Sequence, residues 1–242
     1  MTQNVYDDPD FFAAYGDLPR SRAGLDGAPE WPALRALLPS LDGRTIVDLG
    51  CGYGWFCRWA RAQGAARVVG LDVSWRMLGR ARQATHDAAI LYVRADLERL
   101  GLCEHSVDLV YSSLALHYVA DLGALIGAVY RGLDAGGHLI FSVEHPVFTA
   151  PAAPGWALDA TGRKTWPIDG YSIEGRRRTM WLGKPVVKSH RTVATYLNLL
   201  LRAGFAMLAI DEWRPTDEQI AARPALADEL ERPPFLIVAA RK

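Results

Sequence analysis

The stretch Ile46–Phe56, I-V-D-L-G-C-G-Y-G-W-F, decides the fold of this chain: an apolar run carrying an acid at Asp48, then glycines at every second position, Gly50, Gly52 and Gly54. An apolar strand that turns through glycines puts no side chain in the way, so a ligand can lie directly on the backbone. Phe56–Ala62 suits a helix, and free N–H groups at its start would favour a carboxylate or another anionic group in the turn. The dinucleotide fingerprint needs G-x-G-x-x-G, whereas here the glycines fall as G-x-G-x-G, with an acid two residues before the first. A tight strand-to-helix turn without a ligand would use the same glycines, so the rest of the chain has to separate the two readings.

Arg67–Asp72 (R-V-V-G-L-D) is a second short apolar strand ending in an acid, about 20 residues beyond the glycines, where a carboxylate can accept both hydroxyls of a ribose. Asp72 also suits a plain helix-start acid ahead of Ser74–Ala84. A third acid, Asp96, follows the apolar run Ala89–Val93. Strands are expected again at Val107–Tyr111 and, after the turn Ala135, Gly136, Gly137, at His138–Val143. Strands alternating with helical stretches imply a parallel sheet with helices on both faces.

Taken in order, these segments resemble the class I S-adenosylmethionine-dependent methyltransferases. The glycine turn matches their first motif, S-V-D-L-V-Y-S-S-L-A-L-H-Y-V (Ser106–Val119) their D-x-V-x-S segment, and L-D-A-G-G-H-L-I-F-S (Leu133–Ser142) the run into strand five. D-V-S-W-R-M-L (Asp72–Leu78) is similar to the ubiquinone and menaquinone methyltransferase-like branch, whose members mostly modify small molecules. The resemblance implies a Rossmann-like, doubly wound α/β fold, with a mostly parallel seven-stranded sheet whose last strand is antiparallel. It also implies S-adenosyl-L-methionine held by Asp48, Gly50, Gly52, Asp72, Val73, Met77, Asp96, Leu97 and Ser112, with Asp96 and Leu97 at the adenine. No metal is implied. Two other readings remain: a nicotinamide-dependent oxidoreductase, and a cofactor-binding partner without turnover.

Composition is that of an ordinary globular protein, 50% hydrophobic and 22% charged over 242 residues. A single methyltransferase domain is expected: an N-terminal helical segment over the cofactor (1–43), a cofactor-binding core (44–143), a substrate lid (144–191), and a C-terminal helix and strands (192–242). The 27 basic and 27 acidic residues cancel, with a pI near 7.0, so no global field favours nucleic acid or an anionic membrane. The polar start M-T-Q-N-V-Y-D-D-P-D and the absence of 18 uninterrupted apolar residues lead us to expect a cytoplasmic protein that does not enter the membrane. Cys51, Cys57 and Cys103 have neither disulfide-framework nor zinc spacing.

Before the glycine turn, helices are expected at Asp10–Tyr15 and Trp31–Leu38. Tyr15, Arg20 and Arg22 are candidates to close on the carboxylate of the bound methionine, although an exposed polar arm would look the same. The helix after strand five is delayed through Glu144–Arg191, a Pro-, Gly- and Trp-rich stretch with a hairpin expected around Arg178–Val187. From Asp159 to Arg191 it carries eight basic residues against three acids, a net +5 that leaves −5 on the remainder. Such a lid suits an anionic acceptor, and Trp156, Trp166, Tyr171 and Trp181 suit an aromatic one; a solvated hairpin face and simple packing fit equally. Thr192–Ala203 reads as a helix, Phe205–Glu212 and Phe235–Ala240 as the last strands, and Asp217–Arg232 as helical between them. Methyl transfer from a sulfonium is a direct displacement in which positioning does most of the work. His117 and His145, at the ends of strands four and five, are the candidate bases, with Glu144 and His190 as further options.

Overall fold

Why the strands bury both faces is visible from residue to residue along each of them. In β1 (Thr45–Leu49), Ile46 packs into one core while Val47 and Leu49 pack into the other, both cores being fully closed to solvent. The same alternation continues through β2 (Arg67–Asp72), β4 (Val107–Ser113) and β5 (Leu133–Glu144), whereas the edge strand β3 (Ile90–Arg94) buries Ile90 and Tyr92 and leaves Leu91 and Val93 exposed. Strands covered on both sides read as near-continuous apolar runs, which is what the sequence shows. A computed structural model describes residues 3–242.

Beyond β5 come the short pair β6 (Ala157–Leu158) and β7 (Lys164–Thr165), the hairpin β8 (Gly175–Trp181) and β9 (Lys184–His190), and the final strands β10 (Ala206–Trp213) and β11 (Phe235–Arg241). The main sheet has seven strands in the order β10-β11-β5-β4-β1-β2-β3. β1 to β5 pair in parallel, and β11 runs antiparallel to both β5 and β10. The order reverses at β1, so the crevice for a ligand lies beyond the carboxyl ends of β1 and β4.

Helices α1 (Pro9–Gly16), α2 (Pro19–Arg22) and α3 (Trp31–Ala36) precede the sheet. α4 (Trp55–Ala62) and α5 (Trp75–Gln83) follow β1 and β2, α6 (Leu122–Gly132) follows β4, α7 (Pro146–Thr149) is one turn after β5, and α8 (Val193–Ala203) and α9 (Asp217–Ala222) come last. Start signals are met locally. Ser74 accepts from Met77 N at 3.1 Å and Thr192 from Thr195 N at 3.2 Å, while Gly204 ends α8 in the left-handed region.

Three expectations needed correction. β5 begins at Leu133, because its pairing with β4 jumps from Val107↔Leu133 to Leu109↔His138 and takes the Ala135–Gly137 turn into the strand as a bulge around Gly136. The 217–232 stretch is not one helix, since Pro224 has no N–H to continue α9 and a 3-10 turn over Pro224–Leu230 follows. Between α1 and α3 the chain forms α2 and a 3-10 turn at Gly24–Gly27. The hairpin extends further than expected, closing on Leu182 and Gly183, both at positive φ, which suits a two-residue turn.

Gly70 sits in β2 directly beneath the glycine turn, where an added Cβ would lie 2.8 Å from Tyr92 Cδ1 and 2.9 Å from both Cys51 Sγ and Cys57 Sγ. We expect Gly70→Ala to destabilise the fold by about 1–3 kcal/mol through overpacking, read from the midpoint of urea unfolding.

Candidate active site

The turn after β1 is tied to the end of β2. Gly50 N and Cys51 N donate to Leu71 O at 2.8 and 2.9 Å, and Gly52 N donates to Asp72 Oδ2 at 2.9 Å. Asp72 Oδ1 accepts from Ser74 N at 2.9 Å, just ahead of α5, so the acid fits its helix-start reading and also braces the glycine turn. Gly50, Gly52 and Gly54 all have positive φ. A Cβ on Gly50 would come 2.4 Å from Ala115 Cβ, whereas one on Gly52 would meet nothing within 4 Å. The first glycine therefore serves packing, and the second leaves open space over the turn.

That space belongs to a cavity of about 280 Å³ at the carboxyl ends of the parallel strands, lined by Gly50, Gly52, Asp72, Val73, Met77, Asp96 and Leu97 from the first three turns. Asp96 accepts from Glu98 N at 3.0 Å. The β4 end contributes Ser113, Leu114, Ala115, His117 and Tyr118. Ser112, the neighbour singled out from sequence, is wholly buried outside the cavity, where its Oγ donates to Leu49 O at 2.8 Å; strand alternation turns Ser113 inward instead. Leu114 adopts φ 55, a left-handed conformation that costs a branched residue energy and redirects the chain towards His117.

A smaller cavity of about 100 Å³ adjoins the first, sharing Tyr15, Arg20, Gly50, Gly52 and Ser113, and adds Ser21, Asp48, Tyr53 and Tyr111. The Ser21, Tyr53 and Tyr111 hydroxyls around it are buried without a hydrogen-bond partner among the described residues. Arg20 Nη2 reaches both oxygens of the fully buried Glu30 at 3.0 and 3.1 Å, leaving its Nε and Nη1 without hydrogen-bond partners among the described residues. Arg22 does not join it but pairs with Asp17 on the surface. Asp48 accepts from Cys57 Sγ at 3.3 Å, and burial pushes its carboxyl up to about 7. Burial likewise lifts Asp72 to about 6 against the N–H groups that hold it.

The roof is built from the β8–β9 hairpin and the N-terminal segment. Trp181 of β8 packs edge-on to Tyr6, Phe11 and Tyr15, Lys184 pairs with Asp8 at 3.0 Å and Asp10 at 3.2 Å, and Val187 N donates to Gln3 Oε1 at 2.7 Å. None of the eight basic residues counted in the insert lines the cavity. Arg163, Lys164, Lys184 and Lys188 pair with acids elsewhere in the chain, and Arg177 and Arg191 with backbone carbonyls. Of the four aromatics, only Trp181 reaches the cavity; Trp156 and Trp166 stack with Phe148 around Arg232, and Tyr171 lies against His190.

The histidines divide sharply. His145 caps α7, its Nδ1 accepting from Val147 N at 3.0 Å, so its Nε2–H donates to Glu212 at 2.8 Å; it lines neither cavity. His190 is held between Thr149 Oγ1 and Tyr171 O, also outside. Only His117 lines the cavity, with Nδ1 accepting from Glu144 N at 3.3 Å and burial pushing its imidazole down to about 4. Glu144 lines it too, with both oxygens on Lys188 Nζ at 2.5 and 2.8 Å.

Residues 47–141 match the Methyltransferase domain family model. The crystal structure of an S-adenosylmethionine-dependent methyltransferase from Mesorhizobium loti is 61% identical, covers 90% of this chain and all of that one, and superposes with a TM-score of 0.88. The chain belongs to the S-adenosylmethionine-dependent methyltransferases. An uncharacterized protein of Haemophilus influenzae is 33% identical over 99% of this chain and 97% of its own length. The malonyl-[acyl-carrier protein] O-methyltransferase of Pectobacterium atrosepticum is 36% identical over 54% of the chain, which spans about half the length of that relative.

Several lining residues of this methyltransferase carry no motif in the sequence: Gln3, Tyr6 and Phe235 arrive from distant segments, and Glu98 follows the Asp96–Leu97 pair without a signal of its own. Glu30, the buried partner of Arg20, is equally silent. Nothing at the level of spacing marks them, because only the roof brings them together. Among the described residues no helix is long and apolar enough to cross a membrane.

Asp48 offers a pH test. Its folded-state pKa of about 7 lies above the ordinary carboxylate value, so the folded protein holds a proton that the unfolded chain gives up between about pH 4 and 7. The wild type should therefore lose stability relative to Asp48→Asn as pH rises through that window, by on the order of 3 kcal/mol at pH 8, with no difference below pH 4. Ligand-free thermal unfolding of both proteins across pH 4–8 reads this directly.

Proposed function

We propose that this methyltransferase uses S-adenosyl-L-methionine to methylate a small-molecule acceptor by direct displacement. The observation that carries the reading is the pair of joined cavities, whose residues suit the three parts of that nucleoside. Asp72, at the tip of β2, suits the ribose hydroxyls, Asp96 and Leu97 the adenine, and Val73 and Met77 the walls between. The open space over Gly52 lets a ligand lie on the turn, and the orphaned hydroxyls of Ser21, Tyr53 and Tyr111 ask for polar partners that an amino-acid tail would supply. Arg20, with donors to spare, suits the tail's carboxylate, and Asp48 its ammonium.

When bound, the sulfonium supplies a methyl group already reactive towards nucleophiles. The protein's share is orientation, worth roughly 7–11 kcal/mol in well-held systems, together with exclusion of water. The insert 144–191 acts as the lid: Trp181 and Lys184 clasp the N-terminal segment across the cavity mouth, so the two close together. The ubiquinone and menaquinone methyltransferase-like resemblance and the partial likeness to malonyl-[acyl-carrier protein] O-methyltransferases both support a small or carrier-borne acceptor.

Calorimetry tests the cofactor reading. S-adenosylhomocysteine should bind and NAD should not. Asp72→Ala should weaken S-adenosylhomocysteine at least tenfold, since each hydrogen bond to a charged group is worth roughly 1.5–3 kcal/mol. Gly52→Ala should cost comparable affinity, because its Cβ, which meets no protein atom within 4 Å, would occupy the ligand's space; its φ of 52 adds backbone strain, which thermal unfolding without ligand reads separately. Unchanged dissociation constants in both variants would remove the proposed site.

A further inference from the structure

Resting on the methyl-transfer reading, the acceptor's chemical class follows from which atoms of the wall are spoken for. Each carboxylate lining the larger cavity already accepts from a donor: Asp72 from Gly52 N and Ser74 N, Asp96 from Glu98 N, Glu98 from Ala120 N and Asp121 N, and Glu144 from Lys188. His117, 1% exposed, takes the Glu144 N–H on Nδ1, which places its own proton on Nε2. That Nε2–H has no partner among the described residues, and neither ring nitrogen is free to take a proton from an acceptor. Beside it, Tyr118 receives the Tyr6 hydroxyl at 3.4 Å and keeps its own proton to give.

A second observation concerns charge. Arg191, 7% exposed, donates to the carbonyls of Val119 and Ala120 and has no acid within ion-pair distance among the described residues. Val119 is itself part of the cavity wall. The other buried cations nearby are neutralised, Lys188 by Glu144 and Arg20 by Glu30. Behind a wall that offers protons there is thus one buried positive charge without a counter-ion, an arrangement that favours an anion in front of it.

We propose that the acceptor is a carboxylate, already ionised when it binds, which His117 Nε2–H and Tyr118 O–H hold by donated hydrogen bonds while Arg191 supplies the field. The carboxylate oxygen forms the new O–CH3 bond as the S–CH3 bond breaks, the electron pair stays on sulfur, and no proton has to leave. An alcohol or an ammonium would need a base, and the wall presents none that is unoccupied.

The test uses the full chain saturated with S-adenosylhomocysteine and titrated by calorimetry with butyrate, butyramide and butylamine, and with phenylacetate, phenylacetamide and phenethylamine. The carboxylates should bind at least tenfold more tightly than their neutral and cationic counterparts. His117→Leu should erase that preference, and His117→Gln, which keeps a donor near Nε2, should restore most of it. Binding of S-adenosylhomocysteine by each variant serves as the control for folding, and Tyr118→Phe, tested alike, should lower the carboxylate preference severalfold. With methylated carboxylates, kcat should be level from pH 6 to 9, since burial, opposed by Glu144 and helped by Lys188 and Arg191, the charged groups facing His117, holds its imidazole down at about 4 and so neutral there. If S-adenosylhomocysteine fails to bind, the methyl-transfer reading itself falls. If it binds but the amines bind as well as the carboxylates, or no probe binds, or a neutral-pH limb of the rate disappears in His117→Leu, the cofactor reading stands and the carboxylate assignment is overturned.

Discussion

The hydrogen bond from Gly52 N–H to the Asp72 carboxylate joins the two halves of this site before any ligand arrives. It holds the turn after β1 against the tip of β2, while the Leu71 carbonyl takes the two preceding N–H groups of the same turn. Only residues without a side chain can follow this path, since Gly50 presses on Ala115 and Gly54 on Tyr92. The cost is two acids kept in a poorly solvated corner, each with its carboxyl pushed upward by burial. Ligand groups that donate hydrogen bonds or carry positive charge relieve that cost, so the burial of these acids becomes selectivity for such groups.

Charge in this molecule works first as mortar. The excess of basic residues in the insert is spent in docking the hairpin and its flanks onto acids of the N-terminal segment, β5 and the C-terminal turn. Four of the eight basic residues of the insert are used in this way, and Arg177 and Arg191 hold backbone carbonyls instead. Aromatic rings reinforce the same docking, for Trp181 reaches into the N-terminal tyrosines and Arg232 sits within 4.2–5.0 Å of three ring centroids. What is left to act on an acceptor is the exception, a buried arginine bound to carbonyls rather than to an acid.

Histidine chemistry shows how little residue type says without its hydrogen-bond partners. His117, His145 and His190 share the same intrinsic proton affinity, yet each has Nδ1 engaged in a hydrogen bond and burial lowering its pKa. Two of them are structural pins. The third faces the cavity as a neutral donor, a role closer to substrate orientation than to proton abstraction.

The side of the cavity built on the glycine turn was legible in the chain because it is built locally. A strand, a tight turn and a helix start lie within a dozen residues of one another, and the period-2 and glycine patterns that build them are written in adjacent letters: Asp48, Gly50, Gly52, Asp72, Asp96 and Leu97 all lie at strand ends, where their spacing put them. Ser112 was one residue off because alternation, not motif, decides which of two serines turns inward. The rest of the lining was legible only in part. Arg20, His117, Glu144 and Trp181 stood among the candidates, but Gln3, Tyr6 and Phe235 did not, since these residues are brought together across most of the chain's length, and the basic excess of residues 159–191 reads the same for recognition as for docking. The sequence by itself therefore determined the sheet, its order of motifs and the glycine turn over the cavity, since short-range sterics and hydrophobic period set these. Only the tertiary structure decided which charges are neutralised, which imidazole nitrogen bears the proton and what the cavity offers an acceptor, because those depend on contacts between segments that nothing in their local sequence ties together.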